Sequence, residues 1–266
     1  MDSLNCHSLQ FNGYSLQFPE MGKVEQGQEF FFVEADGKRQ KIGFHDYGKI
    51  YSIPGLYEHL FYDRYKCNSP EVVCGLLKTH LDGRETRESG LKVLDIGAGN
   101  GMVGAEMAEI GVDALVGVDI IEEAAEALRR DRPGLYDKYF VADLTRLKPE
   151  VEDRLESFDF NCMTVVAALG FDDIPPAAFA SGYNFISNPG WVAFNIKEDF
   201  VCDGDESGFC RFINQLEEQG ILDIRVRRRY RHRFCQDGTP LYYMAVVGRK
   251  QSDIPLELLE ADLCVN

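Results

Sequence analysis

The stretch LKVLDIGAGNGMVGAE, residues 91–106, gathers the residue types best suited to holding a ligand. An apolar run ends at Ile96, and Gly97, Gly99 and Gly101 follow before a helical period begins. Glycines there permit a tight turn and a close approach of backbone to ligand, with a helix N-terminus just beyond. Counted from Gly99, the glycines at 99, 101 and 104 satisfy G-x-G-x-x-G, with Asp119 twenty residues on, the pattern of a nicotinamide cofactor. Register argues against that count. The first glycine of a dinucleotide loop directly follows its strand, which is Gly97 here, and the third slot then falls on Met102. Asp95 adds a second objection, because a carboxylate two residues before the loop would repel a pyrophosphate and suit an ammonium group. Two more acids end later strand-like runs: Asp119 in VGVDI and Asp143 in VADL.

These residues need strands to carry them. From residue 91 the chain alternates strand-like runs (LKVLDI, ALVGVDI, KYFVADL, FDFNCMTVVAAL, WVAFNIKED) with helix-like blocks, among them EEAAEALRRD, acidic first and basic last as the helix dipole favours. Such alternation predicts a doubly wound, mostly parallel α/β sheet whose ligands bind beyond the carboxyl ends of the strands. ILDIRVRRRYRHRF and LYYMAVVGRK, flanking Asp237-Gly238, predict an antiparallel closing hairpin. Upstream, QEFFFVEADGKRQKIGF predicts a hairpin about Asp36-Gly37, and Ser69-Pro70-Glu71 opens a helix. The division expected is a loose arm over 1–28, a hairpin with an aromatic-rich helical cap over 29–88, the ligand-binding domain over 89–250, and an acidic tail over 251–266.

VLDIGAGNG resembles motif I of the class I, Rossmann-like S-adenosylmethionine-dependent methyltransferases. The resemblance covers roughly residues 55–250 and implies a seven-stranded sheet with an antiparallel edge. It implies that Asp95, Gly97, Gly99 and Gly101 surround the methionine part of S-adenosyl-L-methionine. By the same likeness, Asp119 accepts the ribose hydroxyls with Ile120 against the adenine, and Asp143 takes the adenine amine beside the Leu144 backbone. FYDRY, VVAALGFDDIPPAAF and NPGWVAFNIKE look more weakly like the methyltransferase-like proteins of the Williams–Beuren region. Methyl transfer is an in-line displacement at a sulfonium, so the leaving group needs no acid, and positioning supplies most of the catalysis. No catalytic residue is assigned for that reason. The activity expected is methyl transfer to a small molecule, with a protein side chain as the other acceptor class. A cofactor-binding but inactive regulator and a nicotinamide-dependent oxidoreductase are the alternatives.

Composition narrows the partners. Among 266 residues, 44 acidic and 28 basic side chains leave a net charge of -16, which disfavours nucleic acid and anionic membranes. No apolar run is long enough to span a bilayer, the N-terminus lacks the pattern of a signal peptide, and the eight scattered cysteines read as reduced thiols. A cytoplasmic protein without a metal site is expected. RVRRRYRHR, residues 225–233, holds six arginines, read as a guarded edge strand in preference to an anion patch. Pro175-Pro176, between Ile174 and Ala177, reads as a loop and helix start, since no polar residue stands where an amino-methylating enzyme would need one. The aromatic cluster His45, Tyr47, Tyr51, Tyr57, His59, Phe61, Tyr62 and Tyr65 reads as subdomain packing in preference to a substrate lid. Tyr62-Asp63 matches a small-molecule methyltransferase pair over two residues only, and Lys197 and Glu198 read as rim residues.

Overall fold

Leu16 and Phe18 alternate with Ser15 and Gln17, and that two-residue period gives the N-terminal segment one apolar face. In a computed structural model, which describes residues 6–20, 26–81, 90–169, 174–198 and 208–263, this face is part of a sheet. Strand β1 (Cys6–Phe11) pairs antiparallel with β2 (Tyr14–Pro19) across Asn12-Gly13, both of which have positive φ. The loose arm expected over residues 1–28 is therefore corrected. Its polar residues conceal a strand period, since Leu9 and Phe11 of β1 and Tyr14, Leu16 and Phe18 of β2 turn toward a core while Ser and Gln alternate with them. The hairpin expected about Asp36-Gly37 forms from β3 (Phe30–Ala35) and β4 (Lys38–Gly43), again with positive φ at both turn residues.

The chain divides into two compact units, one drawn from residues up to Asn68 with Arg231–Leu241, the other from Ser69–Tyr230 and Tyr242 onward. The first holds the sheet β1-β2-β3-β4, helices α1 (Tyr47–Ser52) and α2 (Leu56–Glu58), and a π-helical turn His59–Arg64. Leu16, Phe18, Phe31, Val33 and Ile42 from the sheet share a core with Ile50, Leu56, Leu60 and Phe61. The aromatic cluster packs on itself: Tyr51 stacks on Tyr57 at 4.6 Å between centroids, and Tyr57 meets Phe61 at 5.1 Å. Within this unit Arg233 and Glu29 form a buried ion pair, and Glu29 Oε1 also accepts the Gln236 backbone N–H. Such a pair is costly to break singly, because the survivor would be a buried lone charge.

The second unit starts earlier than expected, with α3 (Ser69–His80), which buries Val73, Cys74, Leu76 and Leu77. The boundary expected at 88/89 falls outside the described residues. Its strands are β5 (Lys92–Ile96), β6 (Ala114–Asp119), β7 (Lys138–Val141), β8 (Cys162–Val165), β9 (Gly190–Lys197), β10 (Leu222–Phe234) and β11 (Pro240–Lys250). They form one seven-stranded sheet, order β10-β11-β9-β8-β5-β6-β7, parallel from β9 to β7, with β11 antiparallel to β9. The mostly parallel sheet with its closing hairpin is as expected. β8 and nearly all of β9 are buried, which is why they read as mostly apolar runs broken only by Thr164 and Asn195. Helices α4 (Met102–Ile110), α5 (Glu122–Asp131), α6 (Pro149–Glu156), α7 (Pro176–Asn184) and α8 (Phe209–Glu218) intervene between strands. Pro176 opens α7 as expected, although residues 170–173 of the preceding loop are not described.

β10 is the edge strand, and its alternate arginines face acids and carbonyls. Arg225 pairs with Asp223, Arg227 with Glu217 and Arg229 with Glu198, while Arg231 donates to Lys66 O. The tail is packed as well. Helix α9 (Leu256–Leu263) follows Ile254, and both Ile254 and Leu258 lie in the core of the sheet unit. Just before it, Lys250 is 0% exposed and donates to Tyr183 O, Asn184 O and Ile186 O, capping the C-terminal carbonyls of α7, with Asp253 as its counter-ion. Lys250→Met removes the ammonium donor these buried carbonyls share, leaving Tyr183 O only the Ile186 N–H. The expected loss is about 3 kcal/mol, read as a lower urea midpoint at unchanged m-value.

Candidate functional site

The site begins where β5 ends. Gly97 and Ala98 both donate to Val118 O, at 2.9 and 3.2 Å, so the chain turns off β5 while still tied to β6. Gly97, Gly99 and Gly101 all have positive φ. A Cβ at Gly97 would lie 2.8 Å from the Ala168 methyl, and one at Gly101 2.8 Å from Leu128 Cδ1 and 2.9 Å from Leu135 Cδ2. Conformation and space both demand glycine at these two positions. Gly101 is the N-cap residue of α4, so the loop leads into a helix N-terminus.

Asp119, the last residue of β6, fastens this loop. Its Oδ2 accepts the Gly99 N–H and its Oδ1 the Ile121 N–H, each at 2.9 Å. Between them Ile120 is 62% exposed, a large apolar side chain held in the open beyond the strand end. Ala142 N–H donates to Asp119 O, which brings the end of β7 alongside. Asp143 comes next, its Oδ1 accepting both the N–H and the hydroxyl of Thr145, which hold its carboxyl below the usual range. The Leu144 side chain is buried. The structure thus gathers the glycines, Asp119, Ile120, Asp143 and Leu144 at the carboxyl ends of β5, β6 and β7, the place where open α/β sheets bind ligands.

Asp95 is placed differently. Its carboxylate is 0% exposed beneath the loop, with Oδ1 accepting the Thr164 hydroxyl and Oδ2 the Tyr136 hydroxyl, each at 2.6 Å. Burial pushes its carboxyl up to about 7; the bonds from Thr164 and Tyr136 pull it down and the nearby Asp119 charge pushes it up. Sequence reasoning missed both donors. Gly104, left without a role once the nicotinamide count was set aside, has a Cβ position 2.6 Å from the Tyr136 hydroxyl: this glycine makes room for a ring. Glycine in mid-helix was the available signal. Also missed was a buried polar chain from β9. Asn195 Oδ1 accepts the N–H of Ala167, which has φ +57°, while Asn195 Nδ2 donates to the Tyr230 hydroxyl, itself 2.7 Å from Ser69 Oγ. That chain fixes the backbone after β8, whose next residue, Ala168, lies against Gly97. Among the described residues, no group of three or more His, Cys, Asp or Glu side chains is placed to hold a metal, and no helix is long and apolar enough to cross a membrane.

Residues 94–194, from the end of β5 through most of β9, match a family model described as a methyltransferase domain. The chain carries an S-adenosylmethionine-dependent methyltransferase domain. A solved structure shares its fold. The N-methyltransferase NodS from Bradyrhizobium japonicum, solved with S-adenosyl-L-homocysteine, is 12% identical, with a TM-score of 0.51, covering 79% of this chain and 98% of its own. A methyltransferase from Clostridium acetobutylicum is 11% identical at a TM-score of 0.49, covering 74% and 97%. Among curated proteins, no relative matches the sequence. The methyltransferase domain suits its cofactor in three respects: a backbone cradle that Cβ atoms would fill, an exposed apolar Ile120, and a buried carboxylate short of positive charge.

Because folding raises the Asp95 pKa above the ordinary carboxylate value, its contribution to stability is full at acid pH and is lost as pH rises through about 7. The ligand-free protein should therefore melt at lower temperature at pH 8 than at pH 6, with a loss on the order of 1 kcal/mol across that interval. Asp95→Asn should flatten that dependence, which thermal denaturation across the pH range measures.

Proposed function

We propose that this protein is a cytoplasmic enzyme that transfers the methyl group of S-adenosyl-L-methionine to a small-molecule acceptor. One observation carries the cofactor site: Asp119 at the end of β6, locked to both the glycine loop and the following turn, with Ile120 exposed beside it. A carboxylate is an acceptor only, and its two oxygens suit a pair of vicinal hydroxyls. The Asp119 carboxylate would hold the ribose, Ile120 would lie against the adenine, and Asp143 with the Leu144 backbone would meet the adenine edge. Gly97, Gly99 and Gly101 would bring backbone close to the methionine part, with Asp95 beneath supplying negative charge for its ammonium.

When bound, the cofactor supplies a methyl group already activated on sulfur. What the chain must do is orient. The loop, α4 and the Asn195-fixed backbone after β8 are held by short hydrogen bonds, so the acceptor would meet a rigid wall, and positioning lowers the barrier without a nucleophile. A base is required only where the acceptor must lose a proton. The net charge of -16 favours an acceptor that is not a polyanion. The likeness of FYDRY, AALGFDDIPPAAF and NPGWVAFNIKE to the Williams–Beuren-region proteins supports a finer placement among small methyltransferase-like chains; residues 170–173 of the second segment lie outside the described residues.

Calorimetry should show S-adenosyl-L-homocysteine binding the full chain and NAD failing to bind. Asp119→Ala, which removes charge-assisted bonds, should weaken homocysteine-analogue affinity by about a hundredfold. Unchanged affinity would overturn the ribose assignment. Incubation of metabolite and peptide pools with labelled cofactor should place the label in a small molecule, and transfer only to peptides would overturn that acceptor class.

A further inference from the structure

Two phenols brace the glycine loop from beneath, and neither is accounted for by the methyl-transfer reading. Tyr136 lies between α5 and β7, Tyr139 within β7, and their rings meet edge to face at 5.7 Å. The Tyr136 hydroxyl reaches Asp95 Oδ2 through the gap at Gly104, and the Tyr139 hydroxyl donates to Gly99 O at 2.8 Å. Gly117 in β6 makes room for the second ring, because a Cβ there would lie 2.8 Å from Tyr139 Cδ2. Two glycines, one in a helix and one in a strand, thus serve two tyrosines. Burial pushes both phenols well above their ordinary range, so each stays protonated and can only donate to its acceptor.

We propose that Tyr136 is a positioning residue for the cofactor: by donating to Asp95 it fixes that carboxylate under the glycine loop and favours its charged form for the ligand's ammonium end. The proposal rests on the reading of this site as the S-adenosylmethionine site. Among the described residues, the groups facing Asp95 are Thr164 and Cys162 from β8, Tyr136 and Tyr139 from the β7 side, Asp119 from β6, and Cys74 from α3. None of these is a cation. The carboxylate therefore depends on its hydroxyl donors to carry charge, and its pKa of about 7 leaves it poised between two states at neutral pH. Of the two donors, Thr164 lies on β8 in the sheet itself, whereas Tyr136 comes from the segment between α5 and β7.

The sign of the effect follows. An ammonium ligand binds the ionised carboxylate better, so affinity should rise as pH increases through the Asp95 midpoint, and losing the Tyr136 bond should move that midpoint upward. Calorimetry on the full chain between about pH 6 and 8.5 uses two probes: S-adenosyl-L-homocysteine, and methylthioadenosine, which keeps the nucleoside and thioether but has no ammonium. Tyr136→Phe should lower homocysteine-analogue affinity about tenfold at pH 7, shift its pH profile upward, and leave methylthioadenosine nearly unaffected. Tyr139→Phe should weaken binding without moving the profile. Gly104→Ala, which displaces the phenol from its other side, should reproduce the upward shift and serves if Tyr136→Phe does not fold. Equal losses for both probes with an unmoved profile would show a merely structural role and overturn the proposal, as would unchanged binding. A wild-type pH profile identical for the two probes would overturn it without any variant. Wild-type protein that binds neither probe would instead overturn the underlying cofactor reading.

Discussion

A carboxylate with no access to water sits under the one loop on which the methyltransferase domain depends. Asp95 has two hydroxyl donors and no cation among the groups facing it, and burial raises its pKa to about 7. Isolated buried charge is expensive, so the surroundings are arranged to satisfy it: Thr164 from β8, Tyr136 from the approach to β7, and a helix that carries glycine at 104 to let the phenol through. The same arrangement fixes β5, β7, β8 and α4 with respect to one another. An apolar residue at 95 would relieve the cost, and its absence is consistent with a site kept for a charged ligand.

Around that point the loop is over-determined. Asp119 holds Gly99 from the side, Tyr139 holds it from below, and Val118 holds Gly97. The backbone after β8 is pinned by Asn195, which draws on Tyr230 and Ser69 far away in sequence. Preorganisation of this kind suits a reaction in which geometry, more than proton transfer, sets the rate. The outer elements contribute differently. Lys250 closes the end of α7, the guarded arginines of β10 occupy acids and carbonyls, and the N-terminal sheet has an aromatic core of its own.

Much of the sheet unit could be read from sequence because its signals are local and strong. Parallel strands buried on both faces are continuous apolar runs, α5 shows its polarity along the helix, and Gly97, Gly99 and Gly101 sit directly at a strand end. The N-terminal sheet was harder. β1 and β2 interleave Ser8, Gln10, Ser15 and Gln17 with five inward apolar side chains, which had to outweigh a polar composition. The unit boundary was hidden for a related reason: α3 looks like part of the preceding cap, and only its packing assigns it to the larger unit.

By itself the sequence placed the glycine loop and the acids at the ends of β5, β6 and β7, because glycine spacing and strand-end acids are short-range features, while the cofactor class followed from register, Asp95 and the resemblance to motif I. It also determined that the arginine-rich run was a strand. Only the tertiary structure decided what each of these does. Asp95 stood out as an acid inside an apolar strand, but the identity of its partners depends on what comes over it from residues 136 and 164. Gly104 completed a spacing pattern and proves to be a gap for an aromatic ring. Tyr136, Tyr139 and Asn195 carried no sequence signal of their own, because hydrogen bonds between residues 28 to 41 positions apart exist only once the sheet has closed.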